Sequence, residues 1–248
     1  MSDTPAPSTH PHGVPAGAPA SDAPKVAFTS FWLYKRTPDW KEIAGDDQWP
    51  AAAAQMQSLL NELPDGLELR GTYSSLGLTP DVEFIVWAIA PTLQLLQGLA
   101  IAVDRTTIGQ HLELKRVYHG SAGVSQYDPT HGPAFLLGKP ARRYLSVYPF
   151  TKTPDWYLLP YQERRRLMIE HGELGREYPS INTNTVNSFG IADQEFVVAL
   201  EDDNPKLLID MVQKLRGAEV RKWTAVDTPI YLGDRKPIGE VLRDLRGR

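Results

Sequence analysis

The chain contains a long internal repeat, and this repeat constrains the fold more than any other feature of the sequence. The segment SFWLYKRTPDW at 30–40 is matched 116 residues later by SVYPFTKTPDW at 146–156. Two further blocks recur at offsets of 113 and 112: SLGL at 75–78 with SFGI at 188–191, and EFIV at 83–86 with EFVV at 195–198. Self-similarity over this distance indicates two copies of one structural unit.

Each copy predicts the order strand, helix, strand, strand, helix, strand. The first strands, at 26–34 and 144–150, are rich in aromatic and β-branched residues. Asp39 and Asp155 are suitable caps for the helices that follow. We therefore expect two ferredoxin-like units side by side, with an antiparallel sheet backed by helices, which is an α+β fold.

The domain organisation follows from the repeat. We expect one domain over 25–248, built of repeats at about 25–104 and 142–235. Residues 105–141 are predicted to be a connecting loop, and a loop of that length is uncommon unless it is functional. Residues 1–24 hold six prolines and almost no large apolar residue, which predicts a disordered tail rather than a signal peptide.

Composition excludes several classes of protein. The net charge is −4, so nothing points to nucleic acid. The chain has no cysteine, which excludes disulfides, thiolate metal sites and a catalytic thiol and suits the cytoplasm. The twenty uncharged residues at 84–103 are interrupted by Pro91 and Gly98, and the repeat divides them into a strand and a helix. We therefore expect no membrane insertion.

A functional site can survive in one copy of a repeat while packing residues survive in both. Trp156 matches Trp40, so packing explains both tryptophans. Tyr148, however, matches Trp32, and His171 matches Gln55 at the same offset. The residues specific to the second half, Tyr148 and His171, are therefore the candidates for chemistry, while Lys152 replaces Arg36.

His171 lies in a predicted helix at about 155–174, on the same face as Leu167 and Leu174. The side chain should point towards the sheet. A buried, hydrogen-bonded histidine accounts for this pattern, and so does an axial ligand to haem iron in an apolar shell. On the pattern alone the first interpretation is favoured, and Tyr148 is one of ten tyrosines.

A set of motifs in the second half resembles a known family. They are Tyr148-Pro-Phe-x-Lys, Asp155-Trp-Tyr, Glu163-Arg, His171-Gly-x-x-Gly-Arg176 and Ser188-x-Gly-x-x-Asp-x-Glu195-Phe. This run resembles the chlorite dismutase-like superfamily and, within it, the coproheme decarboxylases of actinobacterial type. The resemblance covers about 26–235. It implies a dimeric α+β barrel within one chain and a homopentamer.

The resemblance also implies a role for each matching residue. These roles are proximal iron ligand for His171, radical-forming residue for Tyr148, cation beside the reacting propionate for Lys152, distal base for His131, propionate ligand for Arg176, and neighbour or relay of the tyrosine for Trp156. Asn184 takes the place that chlorite dismutases give to a distal arginine. Without that cation a chlorite-decomposing site loses its oxyanion clamp.

The implied reaction is the hydrogen peroxide-dependent decarboxylation of two propionates of coproheme III, giving haem b. Fe-coproporphyrin III would be both substrate and cofactor. Three alternatives stay open: a chlorite dismutase or haem peroxidase, a non-catalytic haem-binding protein, and a two-repeat barrel without a porphyrin. Four further cations are weaker candidates for propionate binding, with a solvated surface as the default: Arg142, Arg143, Arg221 and Lys222.

Overall fold

The computed structural model describes residues 27–45, 47–123, 125–128 and 132–247. The predicted tail at 1–24 and His131 lie outside these residues. The first half comprises β1 (Ala27–Arg36), α1 (Trp40–Ala44), α2 (Trp49–Asn61), β2 (Glu68–Ser74), β3 (Phe84–Ala90), α3 (Leu93–Asp104) and β4 (Leu112–Ala122). The second comprises β5 (Tyr144–Lys152), α4 (Pro154–Leu158), α5 (Tyr161–Arg176), β6 (Asn182–Asn187), β7 (Phe196–Asp202), α6 (Pro205–Leu215), β8 (Thr224–Val226), β9 (Tyr231–Arg235) and α7 (Ile238–Arg246).

The strands form one sheet that closes on itself. Their order is β7-β6-β4-β1-β3-β2-β9-β5-β8, and β5 also pairs with β7. All of these pairs are antiparallel. Eight strands therefore make a barrel to which β8 is added beside β5, and the predicted α+β fold is confirmed.

The barrel interior is filled by side chains from both halves. Because successive residues of a strand point to opposite faces, alternate positions of each strand belong to this core. Its members include Phe31, Leu33, Tyr73, Ile85, Trp87, Leu145, Val147, Val197, Ala199 and Tyr231. The intervening positions face outwards, towards the helices.

The outward face of the first half is covered by helices. Trp32 and Val86 pack there with residues of α2 and α3. The last helix, α7, also returns to this half and adds Ile238, Val241, Leu242 and Leu245 to the same cluster. Spacings of three and four residues place these four side chains on one helix face.

Several expectations about local structure are corrected. The predicted connecting loop at 105–141 contains β4, which pairs with β1 along its whole length, so the first repeat extends to Ala122. The predicted helix at 155–174 is two helices, because Pro160 precedes the first residue of α5. Neither Asp39 nor Asp155 makes a side-chain capping bond, and Asp155 lies inside the first turn of α4.

The uncharged stretch at 84–103 is divided between β3 and α3, as the repeat predicts. Among the described helices, none has the length and apolar character needed to cross a bilayer.

Candidate functional site

The outward face of the second half is packed much less completely than its counterpart. Tyr148, Val198 and Thr185 form one row across β5, β7 and β6. Tyr148 and Val198 are half-buried and Thr185 is exposed, whereas their counterparts in the first half, Trp32 and Val86, are buried.

The first long helix of the second half, α5, is also loosely packed. Of the sixteen residues of α5, all of them described, Leu167 is the one that is fully buried. The equivalent helix α2 buries five residues. The main contacts of α5 are with α6 and with the 3-10 turn Glu219–Trp223, rather than with the sheet. We interpret the loosely packed region that comprises α5 and the row of Tyr148 as the candidate site.

His171 lies on α5 and is half-buried. It is one turn from Leu167, whose side chain packs against Trp156 and Val220, so it belongs to the inward face of the helix. The equivalent Gln55 has a structural role, because its Oε1 accepts hydrogen bonds from the Thr107 amide at 3.0 Å and hydroxyl at 3.1 Å.

Tyr148 packs with Leu200, Leu208 and Met211, beneath α6. Burial raises the pKa of its phenol to about 12, although Arg216 and Arg221 act in the opposite direction. The phenol is therefore protonated at neutral pH. The two arginines share a carboxylate, since Asp227 lies 2.5 Å from Arg216 and 2.6 Å from Arg221.

Lys152 carries a buried ammonium group at the end of β5, with a residue exposure of 8%. Its Nζ lies 4.4 Å from the centre of the Trp156 ring and 5.2 Å from that of Phe150. Burial lowers the pKa of this ammonium to about 8, and Arg221 acts in the same direction, while Glu195 opposes them. Lys152 is thus a cation held between aromatic rings close to Arg221.

Trp156 is buried in a cluster with Leu167, Ala218 and Val220. Its ring centre lies 6.5 Å from that of Tyr127 and 6.1 Å from that of Trp223. Trp156 therefore packs in an apolar cluster, as the repeat predicts, and also lies beside Lys152.

Arg176 lies at the other end of α5, with a side-chain exposure of 67%, and pairs with Asp128 at 3.2 Å. It ties α5 to the segment that joins the halves. No contact places it with Lys152 or Tyr148 within the described part of the chain. His131, which follows Asp128 in sequence, lies outside the described residues.

Asn184 does not lie in the row of Tyr148. It pairs with Ala199, a residue of the barrel interior, and is only 1% exposed. Its Nδ2 donates to the Ala199 carbonyl at 3.2 Å and to Glu201 at 3.1 Å, and its Oδ1 accepts from the Phe135 amide at 3.1 Å. Asn184 therefore lies on the opposite face of β6 from Thr185 and the row of Tyr148, because neighbouring residues of a strand alternate sides.

The site also contains residues that the sequence interpretation did not select. Glu195 had a readable signal, since it recurs as Glu83, and Tyr157 differs from its counterpart Lys41. Arg216 and Asp227 had no such signal in the sequence. Arg216 follows α6 and Asp227 follows β8, and only the fold brings them to Tyr148. Arg221, a weaker candidate from the sequence, interacts electrostatically with both Tyr148 and Lys152.

Comparison with known proteins gives the family. The family model described as chlorite dismutase matches residues 50–236. The chain belongs to the chlorite dismutase family. The resemblance expected from the motifs is thereby confirmed.

Two relatives in this family carry the name coproheme decarboxylase. The protein from Mycolicibacterium smegmatis is 31% identical over 205 residues, which cover 81% of this chain and 87% of the relative. The protein from Staphylococcus carnosus is 28% identical over 150 residues, covering 54% of this chain and 60% of that relative. The chain thus matches less than two thirds of the second protein.

Solved structures of the family share the fold. A variant of the chlorite dismutase from Candidatus Nitrospira defluvii superimposes with a TM-score of 0.81 at 20% identity, covering 91% of this chain and 97% of that one. The same organism's enzyme in complex with imidazole gives a TM-score of 0.80 at 21% identity, covering 89% and 95%. At this identity the likeness establishes the fold alone.

Proposed function

We propose that this protein is a coproheme decarboxylase of haem biosynthesis, which uses hydrogen peroxide to convert two propionates of coproheme III to vinyl groups. One observation carries the proposal. The outward face of the second half combines Tyr148 and a buried Lys152 with a loosely packed helix that bears His171, whereas the first half fills the equivalent space with apolar side chains.

The residues of the site suit an anionic iron porphyrin. Fe-coproporphyrin III has an apolar ring, which matches the face of Tyr148 and Val198, and four propionates at its rim. Lys152, Arg216 and Arg221 would hold carboxylates on one side through charge-assisted hydrogen bonds. Arg176, at the other end of α5, would bind another propionate. The imidazole of His171 would bind the iron.

The porphyrin iron, when bound, supplies the two-electron oxidation by peroxide. For each propionate, R–CH2–CH2–COO⁻, H2O2 and H⁺ give R–CH=CH2, CO2 and two molecules of water. The Tyr148 phenol, neutral because burial raises its pKa, would transfer its hydrogen and then recover one from the β-carbon of the propionate. Lys152 would hold that propionate, and Trp156 would fix the Lys152 side chain from beneath.

Three finer points belong to this proposal. His131 would accept the first proton of peroxide, a task suited to an imidazole that titrates near neutrality. Haem b would be the product. The protein would assemble as a homopentamer, as the resemblance implies, and its lack of cysteine suits the cytoplasm.

The test is Tyr148→Phe, compared with Tyr144→Phe on the same strand and face. Both variants should bind iron coproporphyrin III with an unchanged haem-like absorption band. Because a phenyl ring has no oxidisable hydroxyl, Tyr148→Phe should lose roughly 100-fold or more of the peroxide-driven CO2 release, the scale of a lost proton-transfer group. Mass spectrometry of the porphyrin measures the loss of each CO2.

Two results would contradict the proposal. One is normal turnover by Tyr148→Phe, which would remove the phenol from the chemistry. The other is release of oxygen from chlorite by the wild-type protein without decarboxylation, which would favour a chlorite dismutase.

A further inference from the structure

The two halves treat one repeated pair of residues differently. In the first half the pair is Arg36 and Glu83. The Arg36 guanidinium donates to both Glu83 oxygens at 2.9 Å, and its backbone amide donates to Oε2 at 3.0 Å. This is a complete bidentate ion pair that joins β1 to the residue preceding β3.

In the second half the same positions hold Lys152 and Glu195. The backbone contact is kept, because the Lys152 amide donates to Glu195 Oε2 at 2.7 Å. The side chains do not pair in the part of the chain that the structure describes. Instead, the Lys152 ammonium lies over the Trp156 ring, and the Tyr157 hydroxyl donates to Glu195 Oε2 at 2.5 Å.

The phenol on Glu195 is specific to the second half. The first half has an exposed lysine, Lys41, at the position of Tyr157. The repeat therefore provides its own comparison. In the first half no phenol binds the carboxylate, and Arg36 pairs with Glu83. In the second half Tyr157 binds Glu195, and the Lys152 ammonium lies over Trp156 instead.

We propose that Tyr157 is a positioning residue that occupies Glu195 and thereby keeps the Lys152 ammonium available to a carboxylate of the ligand. The ligand's identity rests on the proposed function, whereas the competition between Tyr157 and Lys152 does not. A lysine already paired with Glu195 would have to break that ion pair before it could bind a propionate. Held over Trp156 in a buried position, it gains a carboxylate partner only when the ligand binds.

The charged groups around Lys152 agree with this arrangement. Glu195 from the end of the loop before β7 favours the ammonium form, and Arg221 from the 3-10 turn disfavours it. Tyr157 is itself flanked by Tyr127 and Arg164. Burial, followed by the hydrogen bond to Glu195, raises the pKa of the Tyr157 phenol, so the hydroxyl stays protonated and remains a donor to the carboxylate.

The experiment removes the phenol in the full chain with Tyr157→Phe. Glu195 should then pair with Lys152, and the pKa of Lys152 should rise from about 8 by at least roughly one unit. NMR titration of ¹³C-methylated lysines measures this, with the Lys152 signal assigned by Lys152→Arg. In the same variant the affinity for metal-free coproporphyrin III, followed by its fluorescence at pH 7, should fall about tenfold.

The double variant Tyr157→Phe/Glu195→Gln is the matched control. It removes the competing carboxylate, so it should recover both the low pKa of Lys152 and most of the porphyrin affinity. A role of Tyr157 in packing alone predicts no such recovery. An unchanged Lys152 pKa in Tyr157→Phe, or a double variant as weak as the single one, would overturn the proposal.

Failure of the proposed function would look different. A wild-type protein that binds no coproporphyrin would remove the ligand assignment. The lysine titration in the unliganded protein would still decide whether Tyr157 separates Lys152 from Glu195. Coproporphyrin binding that is insensitive to Lys152→Met would overturn the part of the inference that concerns the ligand.

Discussion

At the scale of single residues, the site depends on an ammonium group kept in an unfavourable environment. Lys152 is buried, and its folded-state pKa of about 8 lies below the ordinary value of 10.5. The cation contact with Trp156 offsets part of this cost. Such a group costs stability in the unliganded protein, and binding of an anion would recover that stability.

Lys152→Met should therefore stabilise the unliganded protein at pH 7 by about 1–2 kcal/mol while weakening coproporphyrin binding. Between pH 8 and 10.5 the unfolded chain binds more protons than the folded one, so wild-type stability rises with pH across this window. The advantage of the variant should accordingly vanish above about pH 10.5. Urea denaturation at pH 7 and pH 10.5 measures it, with the exposed Lys222→Met as the control.

A variant that is destabilised equally at both pH values would show that Lys152 contributes chiefly by packing.

At the scale of elements, three strands and the segment between the halves meet at one buried ion pair. Arg70 of β2 and Glu201 of β7 are 2.7 Å apart, with side-chain exposures of 5% and 0%. Asn184 of β6 donates to the same Glu201 oxygen, and Arg70 also donates to the Lys139 carbonyl at 2.6 Å. This network explains why position 184 is polar without requiring contact with a ligand.

Arg70→Met should destabilise the protein by about 3–5 kcal/mol, because it leaves the Glu201 carboxylate buried without its cation. Arg70→Met/Glu201→Gln should be less damaging than the sum of the single changes, since no buried charge remains. A double-mutant cycle by chemical denaturation at pH 7 gives the coupling energy. Additive effects would mean that the two side chains stabilise the barrel independently.

The agreement between the sequence predictions and the structure differs from one helix or strand to the next. The periodic strands β1, β3, β5 and β7 and their order follow from the repeat. The break at Pro160 was readable, because proline lacks the amide that a continuing helix needs. The repeat requires a fourth strand, but this segment was assigned to the connecting loop because its sequence, LELKRVYHGSA, carries charges that stay exposed. Pairing with β1, rather than its local pattern, makes β4 a strand.

Across the whole molecule, the two halves differ: the outward face of the first is closely packed, and the second carries the candidate site. α7 returns to the first half and completes its apolar layer, so a chain of repeated units becomes asymmetric. The amphipathic pattern of α7 can be read from its own sequence. The surface that α7 packs against lies far away in the chain, so the sequence could not show which half this helix covers. Tyr148, Lys152 and Trp156 are close in sequence and were predicted together, whereas Arg216 and Asp227 reach them only through the completed barrel.

This asymmetry makes a prediction about the response to a ligand. If iron coproporphyrin III fills the space beneath α5, the amides of α5 should exchange hydrogen more slowly when it binds, because their helix gains packing partners. The equivalent helix α2 already buries five side chains and should change little. Hydrogen exchange followed by mass spectrometry compares the two helices within one sample.

His171→Ala should reduce the protection of α5, and the matched Gln55→Ala should not. Equal slowing in both helices would indicate general stabilisation, and protection of α2 alone would place the ligand in the other half of the barrel.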